Sequence, residues 1–92
     1  MTARRTDSNQ VAIVAALRAA GASVCDLHEV GHGCPDLLVS FWDSGQAETL
    51  LMEVKAGKGV YTADEVEFIK HWPGVILTVR SPEDALRQIG KA

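Results

Sequence analysis

The sequence predicts an α/β domain in which one mixed sheet is covered by helices, in the order helix, strand, strand, strand, helix, strand, helix. Three observations favour it: helical apolar spacing near the N-terminus, two central runs that are apolar at alternating and intervening positions alike, and capping signals for two later helices. Strands that are apolar on both sides are typical of sheets buried between helices, so we expect helices on both faces.

The first helix is predicted over residues 8–20, where apolar side chains recur at helical spacing and Gly21 provides a stop. At 3.6 residues per turn, Gln10 shares one face with Val14 and Leu17. A polar side chain is therefore expected to point the same way as the apolar stripe.

Three strands are predicted next. Residues 22–29 alternate loosely between apolar and polar, and a glycine-punctuated turn at 31–33 follows them. The runs 36–42 and 48–55 are separated by Asp-Ser-Gly-Gln at 43–46, which predicts a hairpin.

The C-terminal third predicts a helix, a strand and a final helix. A capping-box pattern at 62–65 begins a helix over 63–71, which Pro-Gly at 73–74 ends. Residues 75–80 form the last strand, and Ser-Pro-Glu at 81–83 begins the last helix, with proline in the first turn, where its missing N–H does no harm.

Composition places the chain among ordinary globular proteins. With 92 residues, 47% hydrophobic and 23% charged, we expect a single domain over residues 1–92, with residues 1–6 flexible. A net charge of −3 argues against a generic basic nucleic-acid binder. The chain has no apolar stretch of the roughly 20 residues that span a bilayer, and MTARRTDSNQ lacks the apolar core of a secretion signal. A cytoplasmic protein with Cys25 and Cys34 as thiols is expected.

The hairpin brings acids and a lysine together. If Ser44-Gly45 forms a two-residue turn, Asp36 lies opposite Glu53, with their Cβ atoms roughly 5 Å apart. Lys55 then shares a face with Glu53, while Val54 points to the other layer. A turn longer or shorter by one residue would reverse this parity.

Two adjacent buried carboxylates repel each other, and a divalent cation between them removes the penalty. Oxygen ligands from only two acids suit Mg²⁺ or Mn²⁺, which keep several waters and complete their shell with substrate phosphate. A lysine beside such an ion can orient or deprotonate a bound water or offset charge on the phosphate. This pattern therefore indicates metal-assisted phosphodiester hydrolysis.

The same residues carry a family resemblance. Pro35-Asp36, followed after 16 residues by Glu53-Val54-Lys55, resembles the motif of the PD-(D/E)xK nuclease superfamily. GCPDLLV, LLMEVKAGKG, the helix start at 62–65 and VRSPEDA at 79–85 are most similar to small stand-alone VRR-NUC (virus-type replication-repair nuclease) proteins, which are close in architecture to Holliday-junction resolvases. The resemblance covers nearly the whole chain and implies a restriction-endonuclease-like fold.

The resemblance implies roles for four residues. Asp36 and Glu53 would bind Mg²⁺ or Mn²⁺ together with the backbone carbonyl of Val54, and Lys55 would be the catalytic lysine. The implied activity is that of a structure-specific endodeoxyribonuclease that cuts branched DNA, acting as a homodimer in phage or bacterial replication or repair.

The first helix departs from the family pattern. Resolvase-like relatives carry a glutamate near the metal where this chain has Gln10, which supplies no charge. Gln10 is therefore a catalytic candidate whose alternative is a plain first-turn residue, and Asp7 is a possible substitute acid. Glu65 stands where the VRR-NUC group often has glutamine; it is expected mainly to close the capping box with Thr62.

Five further residues are candidates for DNA contact. The glycine turn either lets backbone approach a phosphate or only supplies positive φ angles, and its histidine either touches DNA or is solvated. A local basic track is possible if folding brings the cations together. These candidates are Gly33, His32, Lys58, Arg4 and Arg5.

Three other interpretations compete. The charged residues could form a plain exposed hairpin face. Gln10 and the acidic net charge favour a catalytically inactive nuclease fold that binds DNA or assembles with a partner. A zinc site could form from two cysteines and two histidines, although its spacing is poor because two of them would point to opposite faces of a strand. Those four are Cys25, His28, His32 and Cys34.

Overall fold

The computed structural model describes residues 9–91, and this range contains three helices and four strands. Arg4, Arg5, Asp7 and the flexibility expected for 1–6 lie outside the described residues. The elements, in chain order, are α1 (Gln10–Ala19), β1 (Ser23–Asp26), β2 (Leu37–Asp43), β3 (Gln46–Val54), α2 (Ala63–His71), β4 (Ile76–Val79) and α3 (Pro82–Gln88).

The four strands form one mixed sheet in the order β1-β2-β3-β4. The first three are antiparallel neighbours, and β4 runs parallel to β3, with α2 in the connection between them. The α/β class, the mixed sheet and the predicted order of elements are thus confirmed.

The hairpin register follows from its turn. Ser44 and Gly45 both have positive φ angles, 52° and 84°, as a two-residue turn that matches the strand twist requires. Leu37 consequently pairs with Met52. The predicted register is confirmed, although β2 begins at Leu37, one residue after Asp36.

The first strand is shorter than predicted, ending at Asp26 instead of residue 29. The Asp26 carboxylate accepts a hydrogen bond from the backbone N–H of His28 at 2.9 Å and so begins a turn. Local side-chain bonding here outweighs the alternating pattern.

One face of the sheet, the inner face, carries Val39 and Val54 and packs against α1 and α3. The contacts are apolar and almost fully excluded from solvent, which places the hydrophobic core cluster on this side. Its side chains are Ile13, Leu17, Ala22, Leu37, Val39, Phe41, Met52, Val54, Val79, Ala85 and Ile89.

The opposite face, the outer face, carries Leu38 and Glu53 and is largely open. Leu38 is exposed, and α2 contains no buried residue. On the same face Leu51 is only 5% exposed, and Phe68 and Ile69 in the later turns of α2 are half-buried. The expectation of helices packed on both faces stays a prediction for the outer face. No helix within residues 9–91 has the length and apolar character needed to cross a bilayer.

Candidate metal centre

Asp36, Glu53 and Lys55 converge at one end of the central hairpin. The register places Asp36 beside Glu53, one step beyond the paired residues, and its Oδ2 accepts a hydrogen bond from the backbone N–H of Val54 at 2.8 Å. Lys55 Nζ lies 3.4 Å from Glu53 Oε2. Val54 turns its side chain into the core. The hairpin thus brings the three charged side chains together on the outer-face side.

Both acids are buried. Asp36 is 8% exposed and Glu53 is 3% exposed. Burial raises the pKa of Glu53 to about 8, and the negative charge of Asp36 and a hydrogen bond with Glu65 add to the shift. Lys55 opposes the shift without cancelling it, so in the absence of a metal ion Glu53 keeps its proton at neutral pH.

Glu65 belongs to this cluster as well. Its Oε1 lies 2.7 Å from Lys55 Nζ and also accepts the backbone N–H of Thr62 at 2.9 Å. Burial by itself raises the pKa of Glu65, but hydrogen bonds from Lys55 and Thr62 outweigh it and leave the pKa below its usual value. One carboxylate thus closes the capping box and holds the lysine.

The sequence analysis assigned Glu65 mainly to the cap. The signal that could have shown its second role is position: a carboxylate in the first turn of a helix connecting two parallel strands lies near the ends of those strands.

Lys55 is a cation in this environment. Burial lowers its pKa, yet the nearby carboxylates of Glu65 and Glu53 raise it above the usual value. Its ammonium also lies 5.6 Å from the centre of the Tyr61 ring. Lys55 therefore suits the stabilisation of negative charge better than the removal of a proton from water.

The glycine turn at residues 31–33 lies next to the start of α2, which carries Glu65. Gly33 has φ 78°, and a Cβ at this position would overlap the backbone of Asp64 in α2. The turn therefore packs directly against the first turn of α2. His32 is exposed, with φ 57°, and Lys58 is exposed in the connection from β3 to α2.

Gln10 forms a side-chain hydrogen bond with an acid of β1. It is 2% exposed, and its amide donates a long hydrogen bond of 3.4 Å to Asp26 Oδ2 at the end of β1. The two residues line one side of a 310 Å³ pocket beside α1, with Arg18 at its rim. The structure thus confirms that Gln10 is on the buried side of the helix and pairs it with Asp26.

Asn9 joins the start of α1 to the same end of the sheet. Its side-chain amide donates to the backbone carbonyls of Arg80 at 3.0 Å and Lys55 at 3.4 Å. These carbonyls follow β4 and β3 directly. Asn9 is a positioning residue that sequence reasoning missed, since both of its partners are distant along the chain.

The donor set fits a hard divalent cation. Two buried carboxylates beside each other have an electrostatic penalty that such an ion removes. Within residues 9–91, no three His, Cys, Asp or Glu side chains are grouped as ligands of one ion. Two acids and a carbonyl match Mg²⁺, which keeps several waters. The two cysteines, Cys25 and Cys34, are not joined in a disulfide.

Comparison of the chain with family models, curated proteins and solved structures finds no match. The relation to PD-(D/E)xK nucleases stays a prediction from the sequence.

Proposed function

We propose that this protein is a Mg²⁺-dependent, structure-specific endodeoxyribonuclease that hydrolyses phosphodiester bonds in branched DNA. The observation that carries the proposal is the buried pair of carboxylates, Asp36 and Glu53, with the Lys55 ammonium 3.4 Å from the second. The resemblance to VRR-NUC proteins supports a restriction-endonuclease-like topology and a role in phage or bacterial replication or repair in the cytoplasm.

In this proposal Asp36, Glu53 and the carbonyl of Val54 hold Mg²⁺ or Mn²⁺. The bound ion would polarise the scissile phosphate and lower the pKa of the attacking water. Lys55 donates hydrogen bonds to the phosphate as its charge grows, and its raised pKa supports this role. The hydrogen bond from Val54 N–H fixes the orientation of Asp36.

The test combines cation binding with cleavage. Asp36→Asn keeps an oxygen for the Val54 N–H but removes the charge, and Lys55→Met removes the ammonium while keeping most of the side-chain volume. Both should abolish cleavage of labelled branched and linear DNAs in Mg²⁺ or Mn²⁺ while circular dichroism shows an intact fold. Asp43→Asn, at the exposed hairpin tip, is the matched control and should cleave normally. Retained cleavage in either site variant contradicts the proposal.

We further propose that two copies associate, as the resemblance implies. Apolar side chains exposed on the outer face support this, Leu38 and Trp42 among them, the latter 65% exposed. Sedimentation velocity at the concentrations used for cleavage tests it. A monomer that cleaves at full rate contradicts the dimer but not the nuclease.

A second candidate is a catalytically inactive nuclease fold that binds DNA or assembles with a partner. The observation that favours it is Gln10, whose buried amide adds no charge where relatives have an acid. Titration calorimetry separates the two functions. An inactive module should show no Mg²⁺ or Mn²⁺ uptake that Glu53→Gln removes, whereas the nuclease should.

A further inference from the structure

We infer that Arg80 binds a DNA phosphate beside the one that is cut, and so holds the substrate strand across the end of the sheet. This inference rests on the proposed nuclease function and adds a binding residue to it.

Strand pairing places Arg80 next to Lys55. Val54 pairs with Val79 in the parallel ladder, and Lys55 N–H donates to the carbonyl of Val79 at 3.1 Å. Lys55 and Arg80 are the first residues after these two strands, and paired strands lie about 4.8 Å apart. Each of the two cations directly follows a residue whose side chain belongs to the core.

The Arg80 side chain reaches the connection that follows Lys55. One guanidinium nitrogen, Nη1, donates to the carbonyl of Gly57 at 2.8 Å, in the connection that follows Lys55. The charges of both Arg80 and Lys55 act on the hydroxyl of Tyr61, where they oppose the pKa increase that burial causes. Lys55, Tyr61 and Arg80 therefore border one region beside Glu53.

The charge of Arg80 is available to a ligand. Arg80 is exposed, and within residues 9–91 its guanidinium forms no ion pair. Lys55, by contrast, is held by Glu53 and Glu65, and Arg87 pairs with Asp84. The remaining N–H groups form a planar fork that suits two phosphate oxygens. In a chain of net charge −3, such a cation beside the acids favours approach of the DNA backbone.

Arg18 provides a matched control. It is also an exposed arginine, its guanidinium donates to one backbone carbonyl, that of Val24, at 3.0 Å, and it forms no ion pair within the described range. It lines the pocket beside α1 together with Gln10 and Asp26. Arg18→Ala therefore removes the same kind of side chain on α1, from a residue that donates to β1 and not to the connection after Lys55.

The experiment measures affinity for a labelled four-way junction and a duplex by fluorescence anisotropy in Ca²⁺, over a series of salt concentrations. Arg80→Ala should weaken binding by about tenfold and reduce the slope of log affinity against log salt by about one. Arg80→Lys should keep the wild-type slope and recover only part of the affinity, since lysine lacks the fork. Arg18→Ala should match the wild type in both.

The salt slope separates a phosphate contact from a loosened loop. Loss of the hydrogen bond to Gly57 can lower affinity but leaves the number of released counterions unchanged. A wild-type slope in Arg80→Ala therefore overturns the inference alone, provided the wild type binds and cuts DNA. A wild-type protein that binds none of these DNAs overturns the proposed function and the inference together.

Discussion

Glu53 shows most clearly how placement changes the chemistry of one residue. An exposed glutamate is ionised at neutral pH, but Glu53 is enclosed beside the carboxylate of Asp36 and its pKa rises to about 8. The fold maintains this unfavourable arrangement through the sheet, since the strand residues on both sides of Glu53 belong to the core. The electrostatic cost of burying the two carboxylates together falls when a metal cation replaces the proton.

The first prediction concerns pH and stability in the absence of metal. Below pH 4.5 Glu53 is protonated in both states; between 4.5 and about 8 the unfolded chain has lost the proton that the folded protein keeps. The free energy of unfolding should therefore fall as pH rises through this window, by up to about 1.4 kcal/mol per pH unit. The lowered pKa of Glu65 has the opposite effect, and only below about pH 4.5.

Urea unfolding from pH 4.5 to 9 measures the slope. Glu53→Gln should flatten it, because glutamine does not titrate, and saturating Mg²⁺ should flatten it in the wild type. A wild-type slope in Glu53→Gln would show that another group is responsible.

At the scale of elements, the first turn of α2 organises the candidate site. The Thr62 hydroxyl accepts the N–H of Glu65, and the Glu65 carboxylate accepts the N–H of Thr62 and binds Lys55. The glycine turn before β2 packs against the same turn of helix. Two segments distant in sequence, the glycine turn and the end of β3, therefore contact one helix terminus.

The second prediction tests the cap. Thr62→Ala removes the hydroxyl and should lower the free energy of unfolding by about 1 kcal/mol. Thr62→Ser keeps the oxygen and should lower it by much less. Equal losses in the two variants, measured by urea unfolding at fixed pH, would assign the effect to the methyl group instead of the cap.

The third prediction compares two glycines with the same backbone angle. Gly31 and Gly33 both have φ 78°, but a Cβ on Gly31 meets nothing within 4 Å, whereas one on Gly33 overlaps Asp64. Gly31→Ala should cost about 1–2 kcal/mol for the left-handed conformation alone. Gly33→Ala should cost more and reduce cation binding, because α2 must move. Similar unfolding energies for both variants would contradict the close packing.

The sequence predicted some elements because the determining interactions are local. A two-residue turn sets the hairpin register, so the meeting of Asp36, Glu53 and Lys55 could be predicted from spacing. The extent of β1 could not, since the Asp26 carboxylate ends it with a side-chain bond. The adjacency of Arg80 and Lys55 could not be predicted, because the two residues lie across a parallel pairing whose register no local pattern encodes.

At the scale of the whole molecule, the protein has one core on one side of its sheet. Leu17 of α1 is fully buried there, while Leu38 on the outer face is 38% exposed. The stability of the fold should therefore depend on the inner face far more than on the outer one, in spite of the apolar character of both.

The fourth prediction compares these two leucines. Leu17→Ala should lower the free energy of unfolding by about 2–5 kcal/mol, because it leaves a cavity in the core. Leu38→Ala should lower it by less than about 1.5 kcal/mol, since much of the side chain already contacts water. If the two losses in urea unfolding are equal, a second chain covers Leu38 in solution.

The parallel pairing of β3 with β4 also has a consequence for biosynthesis. All of the acids and the lysine of the proposed centre are present once residue 65 has been translated, yet the backbone N–H of Lys55 finds its acceptor only when Val79 follows. A nascent chain arrested between these points carries the complete motif without its last anchoring strand. We expect such a chain to hold Asp36, Glu53 and Lys55 less firmly in place until β4 pairs with β3.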